Sequence, residues 1–197
     1  MADKDDRFGG SKNTEKLNKI YLTIISSYKD YIEEKENISV AELPTLVTPK
    51  NALVENTVMQ IKSGFGPYIY EINFYEAAKK AFDLVRDSVE DVSLPLQFWL
   101  NPEETLSFMM GDKFDKNILL CSLMICLGNP SSKVFVKIKS DSRNIFVYCE
   151  FNGMIHKFDI DDGIKSFESR EALIDSVKID DETAAYEFND RTFSDIA

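Results

Sequence analysis

Residues 111–160 run GDKFDKNILLCSLMICLGNPSSKVFVKIKSDSRNIFVYCEFNGMIHKFDI, and their hydropathy changes period halfway along. From about Asp115 to Leu127 the side chains are apolar over most of a helical circumference, which predicts a helix buried at the centre of a domain. Gly128-Asn129-Pro130 closes it with residues that terminate helices. Beyond it, Val134, Val136 and Ile138 alternate with Phe135, Lys137 and Lys139. Ile145, Val147, Cys149 and Phe151 likewise alternate with Phe146, Tyr148 and Glu150. A period of two is the mark of strands. Asn152-Gly153 between two such runs predicts a tight hairpin, pairing Met154 to Ile160 antiparallel with Ile145 to Phe151. A buried helix followed by an antiparallel sheet makes the chain α+β.

Working outward, Leu17, Ile20, Tyr21, Ile24, Tyr28, Tyr31 and Ile32 recur at helical spacing and predict an amphipathic helix behind a polar tail of residues 1–13. Residues 39–62 carry a weaker signal, with Pro44 and Pro49 interrupting apolar stretches and a short helix expected near Ala52 to Ile61. Ser63-Gly64-Phe65-Gly66-Pro67 is a breaker. Phe74, Ala77, Ala78, Ala81, Phe82 and Val85 then form one stripe of a helix from about Phe74 to Val89. Asn101 and Pro102 open a short helix to Leu106 as cap and first residue. A short helix near Ser169 to Val177 and a strand around Ala185 to Phe188 complete the reading. The organisation expected is a disordered tail (1–13), an N-terminal helical extension (14–70) and the main domain (71–197).

The 197 residues are 44% hydrophobic and 29% charged, as in folded soluble proteins, and 34 acidic against 23 basic residues give a formal charge of −11. Such a surface repels phosphate backbones, so nucleic-acid binding is not expected. The longest strongly apolar run, Ile118 to Leu127, is too short to span a bilayer, and the polar N-terminus shows no signal peptide. Three cysteines cannot complete an internal disulfide framework, and all three have apolar neighbours, which points to the cytoplasm. With a single histidine, any Cys/His chemistry must run through Cys121, Cys126, Cys149 and His156.

The segment Phe98-Trp99-Leu100-Asn101-Pro102-Glu103-Glu104-Thr105-Leu106, then Gly111-Asp112-Lys113-Phe114-Asp115, the buried helix and the strands resemble the transglutaminase-like superfamily in linear order. The resemblance covers roughly Leu94 to Ile160. It implies a papain-like core with a nucleophilic cysteine at the N-terminus of the buried helix, and a histidine and an aspartate on successive strands. A thiolate is favoured at a helix N-terminus, a neighbouring histidine takes the proton, and an aspartate orients that histidine. The family pattern places Lys113 at the cysteine position, Phe146 at the histidine position and Asp159 at the aspartate position. Nucleophile and base are missing, so no catalytic residue is expected.

Cys121 and Cys126 lie inside the apolar helix, where a thiol behaves as a core residue. His156 faces away from Asp159 by strand alternation, and no metal or cofactor site is expected from so scattered a set. Asp159, Asp161, Asp162 and Gly163 lack the later acidic ligand of a calcium loop and read as an acidic turn. Lys133, Lys137, Lys139 and Arg143 read as a basic strand edge. A cation at a helix N-terminus needs compensation, so Lys113 is expected to pair with Asp159 beneath Phe146. The function expected is a catalytically inactive domain that binds or scaffolds a protein or peptide through Trp99, Lys113, Phe146, Tyr148 and Asp159. The alternatives are an enzyme, working through Lys113 or one of the cysteines, and a purely structural subunit.

Overall fold

The computed structural model describes residues 29, 39–92, 99–140, 142–180 and 182–196. The tail expected over 1–13 and, Lys29 apart, the helix expected over Leu17 to Ile32 lie outside them. After a single turn at Val40–Glu42 come α1 (Leu43–Leu46), α2 (Ala52–Ser63) and α3 (Tyr70–Ser88). Then follow β1 (Glu90–Asp91), α4 (Pro102–Phe108), β2 (Met110–Gly111) and α5 (Lys113–Cys126). The C-terminal half contains β3 (Lys133–Lys139), β4 (Ser142–Phe151), β5 (Met154–Asp159), β6 (Gly163–Phe167), α6 (Arg170–Val177), β7 (Ala184–Phe188) and β8 (Phe193–Asp195).

The buried helix is where its composition predicts, but it starts two residues earlier than expected. Asp112 caps it, the Asp112 side chain accepting from Asp115 N–H at 2.9 Å while Asp115 Oδ2 accepts from Asp112 N–H at 3.0 Å. Lys113 and Phe114 are thereby drawn into the helix ahead of the apolar run. Helix α3 likewise starts at Tyr70, ahead of the apolar stripe beginning at Phe74, because Asn73 Oδ1 accepts from Ile69 N–H at 2.9 Å. Helices α2, α3 and α4 all pack on α5, and residues 39–70 belong to the same compact unit as the sheet. None of the described helices is long and apolar enough to cross a membrane.

Six antiparallel strands are ordered β6-β5-β4-β3-β7-β8, and a separate two-stranded parallel pair joins β1 to β2. The predicted hairpin is present: Asn152 (φ 52°) and Gly153 (φ 73°) both take the left-handed conformation that such a two-residue turn demands, and Phe151 pairs with Met154. Strand β3, whose lysines read as an edge, is interior, flanked by β4 and β7. Its cations are used internally. Lys133 bonds Glu187, Lys137 donates to the carbonyls of Val177 and Lys178 at the end of α6, and Lys139 pairs with Asp180. Strands β6 and β8 and the β1–β2 pair carried no sequence signal strong enough to assign.

The two faces of the sheet bury different cores. Towards α3 and α5 point Val134, Val147, Phe158 and Phe188, met by Phe82 at 5.9 Å from Phe158 and by Phe114 at 6.1 Å from Phe188. Towards α6 point Phe135, Phe146, Tyr148, Ile155 and Ala185, which pack around Leu173. Burying such side chains contributes about 1.5–3 kcal/mol each, so both layers hold the sheet.

Candidate functional site

The N-terminus of α5 is built from two successive capped turns. Asn101 caps α4, accepting from Glu104 N–H at 2.9 Å with Pro102 at the first helical position. Asp115 Oδ1 then accepts from Leu100 N–H at 2.9 Å, tying the entry of α4 to the first turn of α5. Gly111 makes the close approach possible: a Cβ there would stand 3.0 Å from Asp115 Cβ and 3.3 Å from Thr105 Cγ2. Trp99 covers this corner, its ring 4.7 Å from that of Phe114. Burial, and then the charge of Asp112, push the Asp115 carboxyl up to about 7.

Lys113 is the first residue of α5. Its Nζ is 2.5 Å from Oδ2 of Asp161, in the turn after β5, so the compensating carboxylate is Asp161 and the pair expected with Asp159 is not formed. Asp159 is instead 2.9 Å from Lys157 Nζ, and its Oδ1 accepts the N–H groups of Asp161 at 3.1 Å and Asp162 at 3.3 Å. Burial alone would raise the Asp159 carboxyl, but Lys157 and these donors hold it below its usual range, with Lys113 adding a smaller long-range effect. An ion pair beside Phe146 does exist, with a different lysine: Lys157 Nζ lies 4.4 Å from the Phe146 ring centroid. Residues 157 and 159 share a strand face by alternation, and that signal was available in the sequence.

Phe146 lies on the α6 side of the sheet, stacked on Phe135 at 4.8 Å and 13°, and fully buried. The residue of β4 that faces α5 beside it is Val147. Neither is an imidazole. Tyr148 shares the α6 face and donates its hydroxyl to Glu187 Oε2 at 2.6 Å. The five residues expected to bind together are therefore divided in two: Trp99 and Lys113 frame the α5 N-terminus, while Phe146 and Tyr148 lie across the sheet with Asp159 on their face at the end of β5, joined to Phe146 through Lys157. Glu187, which the sequence did not single out, also accepts from Lys133 at 2.6 Å and Arg170 at 2.9 Å, making an ionic cluster beneath α6.

The cysteines are placed for packing. Cys121 is fully buried with its thiol 3.6 Å from the Ser132 carbonyl, and burial pushes its pKa far up. Cys126 is half-buried and also raised by burial. Cys149 is raised to about 12 by burial, although His156 is its register partner across β4 and β5. The two-residue hairpin turn at Asn152-Gly153 sets this Cys/His adjacency by its register. The His156 ring packs 4.7 Å from that of Tyr75, its Nδ1 is 2.8 Å from Ser166 Oγ, and burial lowers its pKa. Burial thus disfavours both the imidazolium and the thiolate at this register pair. Among the described residues no three His, Cys, Asp or Glu side chains gather as a metal-ligand set.

No protein-family model and no curated protein matches the chain. Among solved structures it is similar to Legionella pneumophila LapG, with 12% identity and a TM-score of 0.51 over 81% of this chain and 88% of that one. Calcium-bound LapG gives 13% identity and the same TM-score over the same shares. A candidate cysteine protease from Cytophaga hutchinsonii is 16% identical over 83% of this chain and 57% of its own, with a TM-score of 0.45. At such identities the likeness concerns architecture: the chain has the papain-like, transglutaminase-like fold, a central helix packed on an antiparallel sheet.

Proposed function

We propose that this chain is a catalytically silent papain-like domain whose role is to bind a protein or peptide segment. The observation that carries the reading is Lys113, which stands at the head of α5 and is neutralised by Asp161. There the family resemblance calls for a cysteine. None of the three cysteines replaces it, since burial raises each thiol. Free thiols in apolar settings fit a reducing compartment such as the cytoplasm. The formal charge of −11 argues against nucleic acid as the partner.

Alkylation of the native protein with iodoacetamide, read by intact mass, tests the silent centre. The expected result is slow labelling of half-exposed Cys126, with Cys121 and Cys149 protected until denaturant is added. One cysteine reacting far faster than a free thiol peptide would overturn the reading in favour of a cysteine enzyme. Borohydride trapping with simple carbonyl compounds applies the same test to Lys113, and a stable Lys113 adduct would make it a lysine enzyme.

A further inference from the structure

The surface at the mouth of α5 carries three large apolar side chains in a row. Phe108 is 62% exposed, Met109 37% and Met110 38%. They are consecutive because α4 ends abruptly: Met109 takes a left-handed conformation (φ 50°), and Met110 enters β2. The parallel register of β1 and β2 then sets Glu90 beside Met110 and Asp91 beside Gly111. The framing elements are acidic. Lys113 and Lys116 are neutralised by Asp161 and Asp91, so the net charge of these elements is carried by Glu90, Glu103, Glu104 and Asp112. Water covers these thioether and phenyl groups at a cost in free energy, while the surrounding field repels anions and attracts cations.

We infer that Phe108, Met109 and Met110 with their acidic surround dock an extended polypeptide segment that is both basic and apolar. The occupant follows from charge complementarity: lysines or arginines answer the carboxylates while alternate bulky side chains cover the phenyl ring and the adaptable methionines. The inference rests on the peptide-binding reading above and gives that reading its ligand chemistry and its place.

The test is fluorescence anisotropy of three labelled decapeptides with the full chain at physiological ionic strength: alternating Leu-Lys, alternating Leu-Glu and alternating Ser-Lys. The Leu-Lys peptide is expected to bind about tenfold more tightly than either control. Phe108→Ser combined with Met110→Ser leaves net charge unchanged and is expected to weaken that binding about tenfold. Glu90→Gln should weaken it about threefold, while Asp175→Asn on α6, matched in charge and across the sheet, should leave it unchanged. Equal binding of Leu-Lys by the Phe108/Met110 variant keeps a peptide-binding protein but removes this surface. Equal losses from Asp175→Asn and Glu90→Gln would reduce the effect to overall charge and overturn the inference. Binding of Leu-Glu as tight as Leu-Lys overturns the basic partner, and absence of binding by all three peptides overturns the inference at this surface.

Discussion

Replacing Glu187 by glutamine takes the charge out of a carboxylate that three donors share. The residue is 3% exposed, with Lys133 on Oε1 at 2.6 Å, and the Tyr148 hydroxyl at 2.6 Å and Arg170 at 2.9 Å on Oε2. Burial works against its ionised form, but Lys133, Tyr148 and Arg170 together hold the carboxyl below its ordinary value. Breaking a buried ion pair by removing one partner costs about 3–5 kcal/mol. Here the Lys133 and Arg170 side chains are 27% and 41% exposed and can rehydrate, and glutamine still offers Tyr148 an acceptor, so about 2–3 kcal/mol is expected. For a chain of this size that lowers the Tm by about 5–10 °C. Urea titrations followed by circular dichroism measure it, with the m-value unchanged.

The pH dependence separates charge from shape. Because the folded-state pKa of Glu187 is depressed, its contribution is fully present above the unfolded value near 4.3 and is lost as pH falls through the folded value. The stability gap between wild type and Glu187→Gln should therefore stay constant from about pH 6 to 8 and narrow below about pH 4. A loss under about 1 kcal/mol at neutral pH would place the cluster with ordinary surface pairs. A gap that persists unchanged in acid would show that the glutamine merely packs badly. Either result would rule out a charge contribution of this size from the Glu187 cluster.

Other expectations are briefer. Lys113→Ala should change stability by no more than about 0.5 kcal/mol in urea, because relief of an unfavourable cation at the helix N-terminus offsets loss of a pair with largely exposed Asp161. Phe146→Ala should cost about 3–5 kcal/mol by the same measurement, as expected of a fully buried ring rather than a binding residue. Asp112→Ala removes the cap of α5 and should cost about 1 kcal/mol. Asp115 has its pKa raised by folding, so its contribution is fully present below the unfolded value near 3.9 and is lost as pH rises through about 7. Stability should decline as pH rises across that window, and Asp115→Asn should flatten the decline in thermal melts.

Much of the architecture is written in short stretches of chain. The apolar circumference of 115–127 specified a central helix, and the alternation around Asn152-Gly153 specified a hairpin down to its register. The cap at Asn101 marked where one short helix begins, and the helix expected near Ser169 proves to be capped by that serine. Strand β6 escaped notice because Gly163–Phe167 is an edge strand with little apolar alternation, defined by its pairing with β5. The lysines of β3 looked like an edge because strand order is a property of the sheet: β3 lies between β4 and β7, and Lys133 meets Glu187 across 54 residues of sequence.

The same division holds at the head of α5. Read locally, the chain places Lys113 just ahead of the apolar helix run, leaves β4 without a histidine and puts Lys157 and Asp159 on one strand face. These are questions of identity and of period, settled within a few residues. Long-range packing set the rest: Lys113 reaches Asp161, Phe146 belongs to the core beneath α6, and Phe108, Met109 and Met110 are exposed beside Glu90 among the described residues. Each depends on how elements far apart in sequence come to rest against one another. A side chain's partner is set by that packing, because an ion pair or an apolar contact acts over only a few ångströms.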